Sequence, residues 1–122
     1  MSKVITEKNE IIKAIKRILE SQSLISIDEE DFGDYGKIIC YHSFGLIDEN
    51  SEFHYSIDKD SADKTKKIIV NTACNEGLTL GFLEHILSNI RIFFNADIEV
   101  IYGHSDGFLN QYITIDVFLI EQ

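Results

Sequence analysis

The stretch KIIVNTACNEGLTLGFLEHILSNIRIFFNADIEVIYGH, residues 67–104, decides the fold. Its first part, 67–74, is a mostly apolar run of the kind that forms a strand buried on both faces. Thr79 then precedes apolar residues that recur at helical spacing, and a second apolar segment, 97–104, follows that helix. A strand, a helix and a strand in this order predict two parallel strands joined by a right-handed crossover.

An amphipathic helix is predicted upstream, from Thr6 to about Gln22. Thr6 is expected to be its N-cap, and Glu7 suits the first turn because a carboxylate there interacts favourably with the helix dipole. The residues of its apolar face are Ile11, Ile12, Ile15, Ile18 and Leu19.

Three further segments complete the predicted domain. Residues 37–44 and 52–58 both alternate apolar and other side chains, which predicts two strands of a hairpin, although the conformation of 45–66 stays open. Residues 111–121 alternate as well and follow a short loop, so this strand is expected to run antiparallel to 97–104. The prediction is one α/β domain over 1–122, a two-layer sandwich with a mixed four- to five-stranded sheet and two main helices.

The charge of the chain restricts its partners. With 11 basic and 21 acidic residues the formal net charge is −10, which disfavours binding to nucleic acid or to an anionic membrane. No apolar run approaches the roughly 18 residues that span a bilayer, and the first residues lack the apolar core of a signal peptide. A cytoplasmic location is therefore expected.

The cysteines are expected to be free. Cys40 and Cys74 in a chain without an export signal favour buried thiols over a disulfide. A zinc site that joins both to His42 is an open alternative, but the sequence has no C-x-x-C or H-x-x-x-H spacing. We expect no metal and no cofactor.

Three segments resemble the C-terminal domain of FtsZ, the bacterial tubulin homologue of cell division. SLISIDEEDF (23–32) is similar to the family's G-L-I-N-hydrophobic-D-F-A-D-V stretch, and IIVNTACNEGLTL (68–80) is similar to I/V-L-V-N-I-T-G-G-x-D-L-T-L. Residues 97–120 resemble the family's two closing strands. The matching positions are Leu24, Ile25, Asp28 and Asp31 in the first segment, and Val70, Asn71, Leu78, Thr79 and Leu80 in the second.

The resemblance implies a function for the acidic residues of the first segment. In FtsZ this loop projects into the nucleotide pocket of the next subunit, where two aspartates help to position the water that attacks the γ-phosphate. It therefore implies a partner-binding surface at Ser26, Asp28, Glu29, Glu30 and Asp31. The alternative reading is local, with Asp28 capping a short solvated turn that reaches Asp31.

The departures from the family weaken the catalytic reading. Ser23 and Ser26 stand where the family has Gly and Asn, and Glu29 and Glu30 add negative charge beside a site that would receive phosphates. The 122 residues contain no glycine-rich loop of the G-G-G-T-G-T-G kind. The resemblance thus implies no enzyme but a protein-interaction module, which modulates or caps the filaments of an FtsZ- or tubulin-type GTPase.

Two other functions compete with this one. Tyr102, His104 and Asp106, near the loop after the predicted strand 97–104, suggest a small ligand-binding protein or an enzyme with its site there. A homo-oligomer that pairs its edge strands is the other possibility.

Overall fold

The computed structural model describes residues 2–21, 27–74, 78–105 and 113–121. The strands are β1 (Ser2–Ile5), β2 (Ile38–Leu46), β3 (Lys67–Ala73), β4 (Glu99–Ser105) and β5 (Ile113–Ile120). The α-helices are α1 (Lys8–Glu20), α2 (Glu29–Phe32), α3 (Lys59–Lys64) and α4 (Leu80–Arg91), and a 3₁₀ turn spans Tyr35–Lys37.

The five strands form one mixed sheet in the order β1-β2-β5-β3-β4. β3 and β4 are parallel, as the strand-helix-strand order predicts, and the other neighbours are antiparallel. β5 runs antiparallel to β4 as expected, but it pairs with β2 and β3, so β3 separates the two closing strands. The predicted α/β class and mixed sheet are confirmed.

The sheet is covered on both faces. Ile68 and Val70 of β3 join a core with Ile86 of α4, whereas Ile69 between them joins a second core with Ile15 of α1. Because successive residues of a strand point to opposite faces, α1 and α4 lie on opposite sides of the sheet. The two main helices are confirmed, but the domain has three layers, helix, sheet and helix, where the sequence predicts two.

The predicted hairpin between 37–44 and 52–58 is wrong. Residues 52–58 form no strand, because β2 already has β1 on one side and β5 on the other. The alternating aromatic residues serve the core instead, since Phe53 and Tyr55 are both buried. The ring centroids of Phe44 and Phe53 are 4.9 Å apart.

The helix ends are set by capping groups. Glu7, not Thr6, is the N-cap of α1, and its carboxylate accepts hydrogen bonds from the backbone N–H groups of Asn9 and Glu10. The predicted N-cap of α4 is confirmed, because the Thr79 hydroxyl accepts from the N–H of Phe82 at 3.2 Å.

Candidate interaction surface

The acidic residues predicted as a site lie on one short helical turn. We call residues 28–31 the acidic turn. Asp28 is the N-cap of α2, and its backbone N–H donates to the Asp31 carboxylate at 2.8 Å. Gly33 ends the helix with a φ of 62°, a backbone conformation that residues with a Cβ rarely adopt. Asp28 is therefore the N-cap of this turn, as predicted, and Ser26 lies outside the described residues.

The acidic turn is fixed to the body of the domain by its neighbours. Ile27 before it and Phe32 at its end are buried, and the ring of Phe32 meets Phe118 of β5 edge to face with centroids 5.1 Å apart. The side chain of Lys67, at the start of β3, donates to the Asp31 carbonyl oxygen at 2.5 Å. The turn is thus held at the end of the sheet where β3 begins.

The carboxylates of the acidic turn differ in solvent exposure and in hydrogen bonding. Asp31 is partly buried and its carboxylate is used in the cap, whereas Asp28, Glu29 and Glu30 are exposed. The Tyr35 hydroxyl approaches Glu29 Oε1 at 3.4 Å, and burial together with the Glu29 charge raises the pKa of Tyr35. Within the described residues no lysine, arginine or histidine forms an ion pair with any of the four.

Tyr102 and His104, predicted as an alternative site, are joined through a buried threonine. Thr72 Oγ1 lies 2.6 Å from the Tyr102 hydroxyl and 2.9 Å from His104 Nδ1. Thr72 is completely buried, and burial raises the pKa of Tyr102. Asp106 lies outside the described residues. Three cavities of about 280, 390 and 420 Å³ are lined by described residues, and neither Tyr102 nor His104 lines them.

Cys40 and Cys74 are buried thiols, as predicted. Cys40 Sγ lies 3.7 Å from His42 Nε2. Burial, with a smaller effect of the Asp58 charge, raises the pKa of Cys40 to about 11, so this thiol is not an activated nucleophile. In the part of the chain that the structure describes, no group of three or more histidine, cysteine, aspartate or glutamate side chains could hold a metal ion.

A buried carboxylate on β5 was not predicted. Asp116 is 1% exposed, and its Oδ1 accepts from the Tyr41 hydroxyl at 2.5 Å and from Arg17 at 3.5 Å. Burial raises its pKa, although Tyr41 and Arg17 oppose that shift. The only sequence signal is an aspartate within the otherwise apolar run 115–120. Its partners make it a structural group.

Comparison with known proteins identifies the fold and no more. The structure of empty, dimeric FtsZ from M. jannaschii superimposes with a TM-score of 0.58 and 11% identity, over 89% of this chain and 35% of that one. A point mutant of M. jannaschii FtsZ gives a TM-score of 0.58 and 13% identity, over 92% of this chain and 38% of that one. The chain has the fold of the C-terminal part of FtsZ. It spans somewhat more than a third of the length of these FtsZ chains.

The other comparisons add no relative. No protein-family model and no curated protein matches the chain. Among the described residues, no helix has the length and apolar character needed to cross a membrane. The resemblance to FtsZ predicted from the three sequence segments is thus confirmed for the fold. The comparison does not test the function of the acidic turn.

Proposed function

We propose that this chain is a non-catalytic protein-interaction module that uses the acidic turn to dock on an FtsZ- or tubulin-type GTPase. One observation carries the proposal. The turn is fixed by a cap, by buried flanking residues and by Lys67, yet it presents Asp28, Glu29 and Glu30 to solvent. A fixed group of like charges that forms no ion pair with the described residues is suited to a basic surface on another molecule.

Preorganisation supports this role. A loop that is already ordered loses less conformational entropy on binding than a disordered one, so more of the contact energy appears as affinity. The formal net charge of −10 adds long-range attraction to a basic partner and accelerates encounter at low ionic strength. Docking is therefore expected to weaken as salt is added.

The proposed module acts without chemistry of its own. The sequence has no glycine-rich phosphate loop, and the capping role of Asp31 leaves its carboxylate less free to orient a water molecule. Glu29 and Glu30 also place extra negative charge where phosphates would lie. We therefore favour binding over activation of the partner's GTPase.

The fold suggests how such a module acts on a filament. A domain shaped like the C-terminal part of FtsZ occupies the interface between successive subunits while offering no nucleotide pocket to the next one. Bound at a filament end, it caps growth.

The test is FtsZ assembly with GTP, followed by light scattering and by the rate of phosphate release. The variant is Glu30→Lys, because Glu30 is exposed and its side chain makes no hydrogen bond within the described residues, whereas Asp28 and Asp31 variants would also disturb the cap. Glu84→Lys, an exposed glutamate on α4, is the matched control for net charge. Circular dichroism verifies that each variant is folded.

We expect the wild-type chain and Glu84→Lys to reduce assembly and Glu30→Lys to lose most of that effect. If a large excess of the wild-type chain changes neither the scattering nor the GTPase rate, docking on FtsZ is refuted. Equal inhibition by both variants would show that the acidic turn is not the docking surface.

A further inference from the structure

A cavity of about 420 Å³ lies where the end of α3 meets the connection from α4 to β4. Asp63 and Lys66 line it on the α3 side, and Phe93, Phe94 and Asp97 line it from the connection. None of these residues belongs to the acidic turn. The cavity is therefore a separate surface that combines carboxylates with aromatic rings.

The charges in this cavity favour a cation. Asp63 and Asp97 are exposed, and in the described part of the chain neither carboxylate forms an ion pair or a side-chain hydrogen bond. Lys66 lines the same cavity and is exposed, but it pairs with neither aspartate. Two carboxylates and one ammonium leave one negative charge in excess, which a single positive group on a ligand would neutralise.

The aromatic wall of the cavity suits a flat cation. Phe93 is 37% exposed and Phe94 is partly buried. The ring of buried Tyr55 lies against both, with centroid separations of 5.7 Å to Phe93 and 6.4 Å to Phe94, so the two phenylalanines are held in place. A cation over the face of an aromatic ring is attracted by the negative charge density there.

A guanidinium group satisfies both walls at once. Its planar fork donates two parallel hydrogen bonds to a carboxylate while its face stacks on a phenyl ring. A lysine ammonium is a more strongly hydrated point charge and stacks less well. A metal ion does not fit, because within the described residues no three carboxylate, imidazole or thiol side chains are grouped to hold one.

The rim of the cavity indicates that the guanidinium belongs to a protein rather than to free arginine. Ile92, next to Phe93, is 75% exposed although its side chain is large and apolar. An exposed apolar rim offers packing to the residues on either side of an arginine in a polypeptide, and arginine is enriched among the residues that dominate interface energetics. Free arginine has no such flanking residues.

We propose that this cavity binds an arginine side chain of a partner protein, with Asp63 and Asp97 as its anionic contacts and Phe93 as its stacking surface. Added salt weakens the binding, because the contacts are exposed and charged. Lys66 opposes it by repelling the guanidinium. The proposal does not depend on docking to a GTPase, since the isolated chain is sufficient to test it.

The test is a titration of the purified, ¹⁵N-labelled chain followed by its amide NMR signals. The probe is a blocked tripeptide with arginine between two leucines, and its matched control has neutral citrulline in place of arginine. We expect the arginine peptide to shift the signals of 62–66 and 93–98 saturably, with a dissociation constant of roughly millimolar size, as exposed charged contacts provide. Free arginine should bind more weakly than the peptide.

Four variants locate the contacts. Asp63→Asn and Asp97→Asn should each weaken binding about two- to fivefold, the range for an exposed ion pair. Asp60→Asn is the matched control, because Asp60 is an exposed aspartate of α3 outside the cavity, and it should bind like the wild type. Lys66→Gln should tighten binding by about the same factor, since it removes the repelling charge.

The spectrum of each variant also shows whether it is folded. The proposal is overturned if the arginine and citrulline peptides cause the same shifts, or if no saturable shift appears in 62–66 and 93–98. An equal loss with Asp60→Asn and Asp63→Asn would show that only the overall negative charge is sensed. Binding of free arginine as tight as that of the peptide would refute a protein segment as the ligand.

Discussion

The contribution of the Tyr41–Asp116 hydrogen bond to the free energy of unfolding can be measured by removing one atom, the hydroxyl oxygen of Tyr41. The Tyr41 hydroxyl donates to Asp116 Oδ1 at 2.5 Å, and the Asp116 side chain is buried within the sheet. Arg17 is the charged partner, but it lies 3.5 Å away and its side chain is 47% exposed. The tyrosine is therefore the principal short contact of this carboxylate.

Tyr41→Phe removes the hydroxyl and keeps the ring, which stacks on Phe118 with centroids 4.7 Å apart. Leaving a buried polar group without its partner costs about 1–3 kcal/mol, and the distant, half-exposed arginine recovers little of it. We expect the free energy of unfolding at pH 7 to fall by about 2 kcal/mol. Tyr102→Phe is the matched control, because its hydroxyl contacts the neutral Thr72 at 2.6 Å, and it should cost about 1 kcal/mol.

Urea unfolding followed by circular dichroism measures both changes, with an unchanged dependence on urea as evidence that the folded states are comparable. The Asp116→Asn background provides a double-mutant cycle, in which Tyr41→Phe should cost only about 1 kcal/mol because the carboxyl group that the hydroxyl contacts is already absent. Equal losses for Tyr41→Phe and Tyr102→Phe, or the same loss in both backgrounds, would refute the reasoning.

Three more predictions concern titration and capping. Burial raises the folded-state pKa of Asp116, so its contribution to stability is present below about pH 4 and is lost as the pH rises through the folded pKa; pH-dependent unfolding of wild type minus Asp116→Asn should show this decline. Burial lowers the pKa of His42, opposed in part by the Asp58 charge, so its contribution is present above about pH 6.5 and is lost as the pH falls through the folded pKa; His42→Gln should lack that acid loss. Thr79→Ala removes the cap on the N–H of Phe82 and should lower the free energy of unfolding by about 1 kcal/mol in urea, and a change near zero would contradict the capping role.

The strand-helix-strand unit could be predicted because its signals are local. The apolar run at 67–73, the cap at Thr79 and the helical spacing of Phe82, Ile86 and Ile90 each lie within a few residues, and all agree with the observed elements. Which strands pair with one another, in contrast, depends on residues far away in the sequence. The segment 52–58 alternates like a strand, yet β2 has no free edge to offer it.

β1 illustrates the opposite error. Ser2–Ile5 has only four residues and one exposed valine, Val4 at 66%, so neither its length nor its alternation stands out in the sequence. It is a strand because β2 presents an unpaired edge that the first residues of the chain can reach. The three-layer arrangement was missed for a related reason, since helical periodicity shows which face of α1 is apolar but not which side of the sheet it covers.

The candidate sites also differ in whether their residues are close together in the sequence. Asp28 and Asp31, which form the cap, are three residues apart and this cap could be predicted, whereas Tyr41 and Asp116 are 75 residues apart. Asp58 shares a cavity with Cys40 and His42 because α3 follows a long connection that folds back over β2. No spacing rule connects residues that meet only through the topology of the sheet.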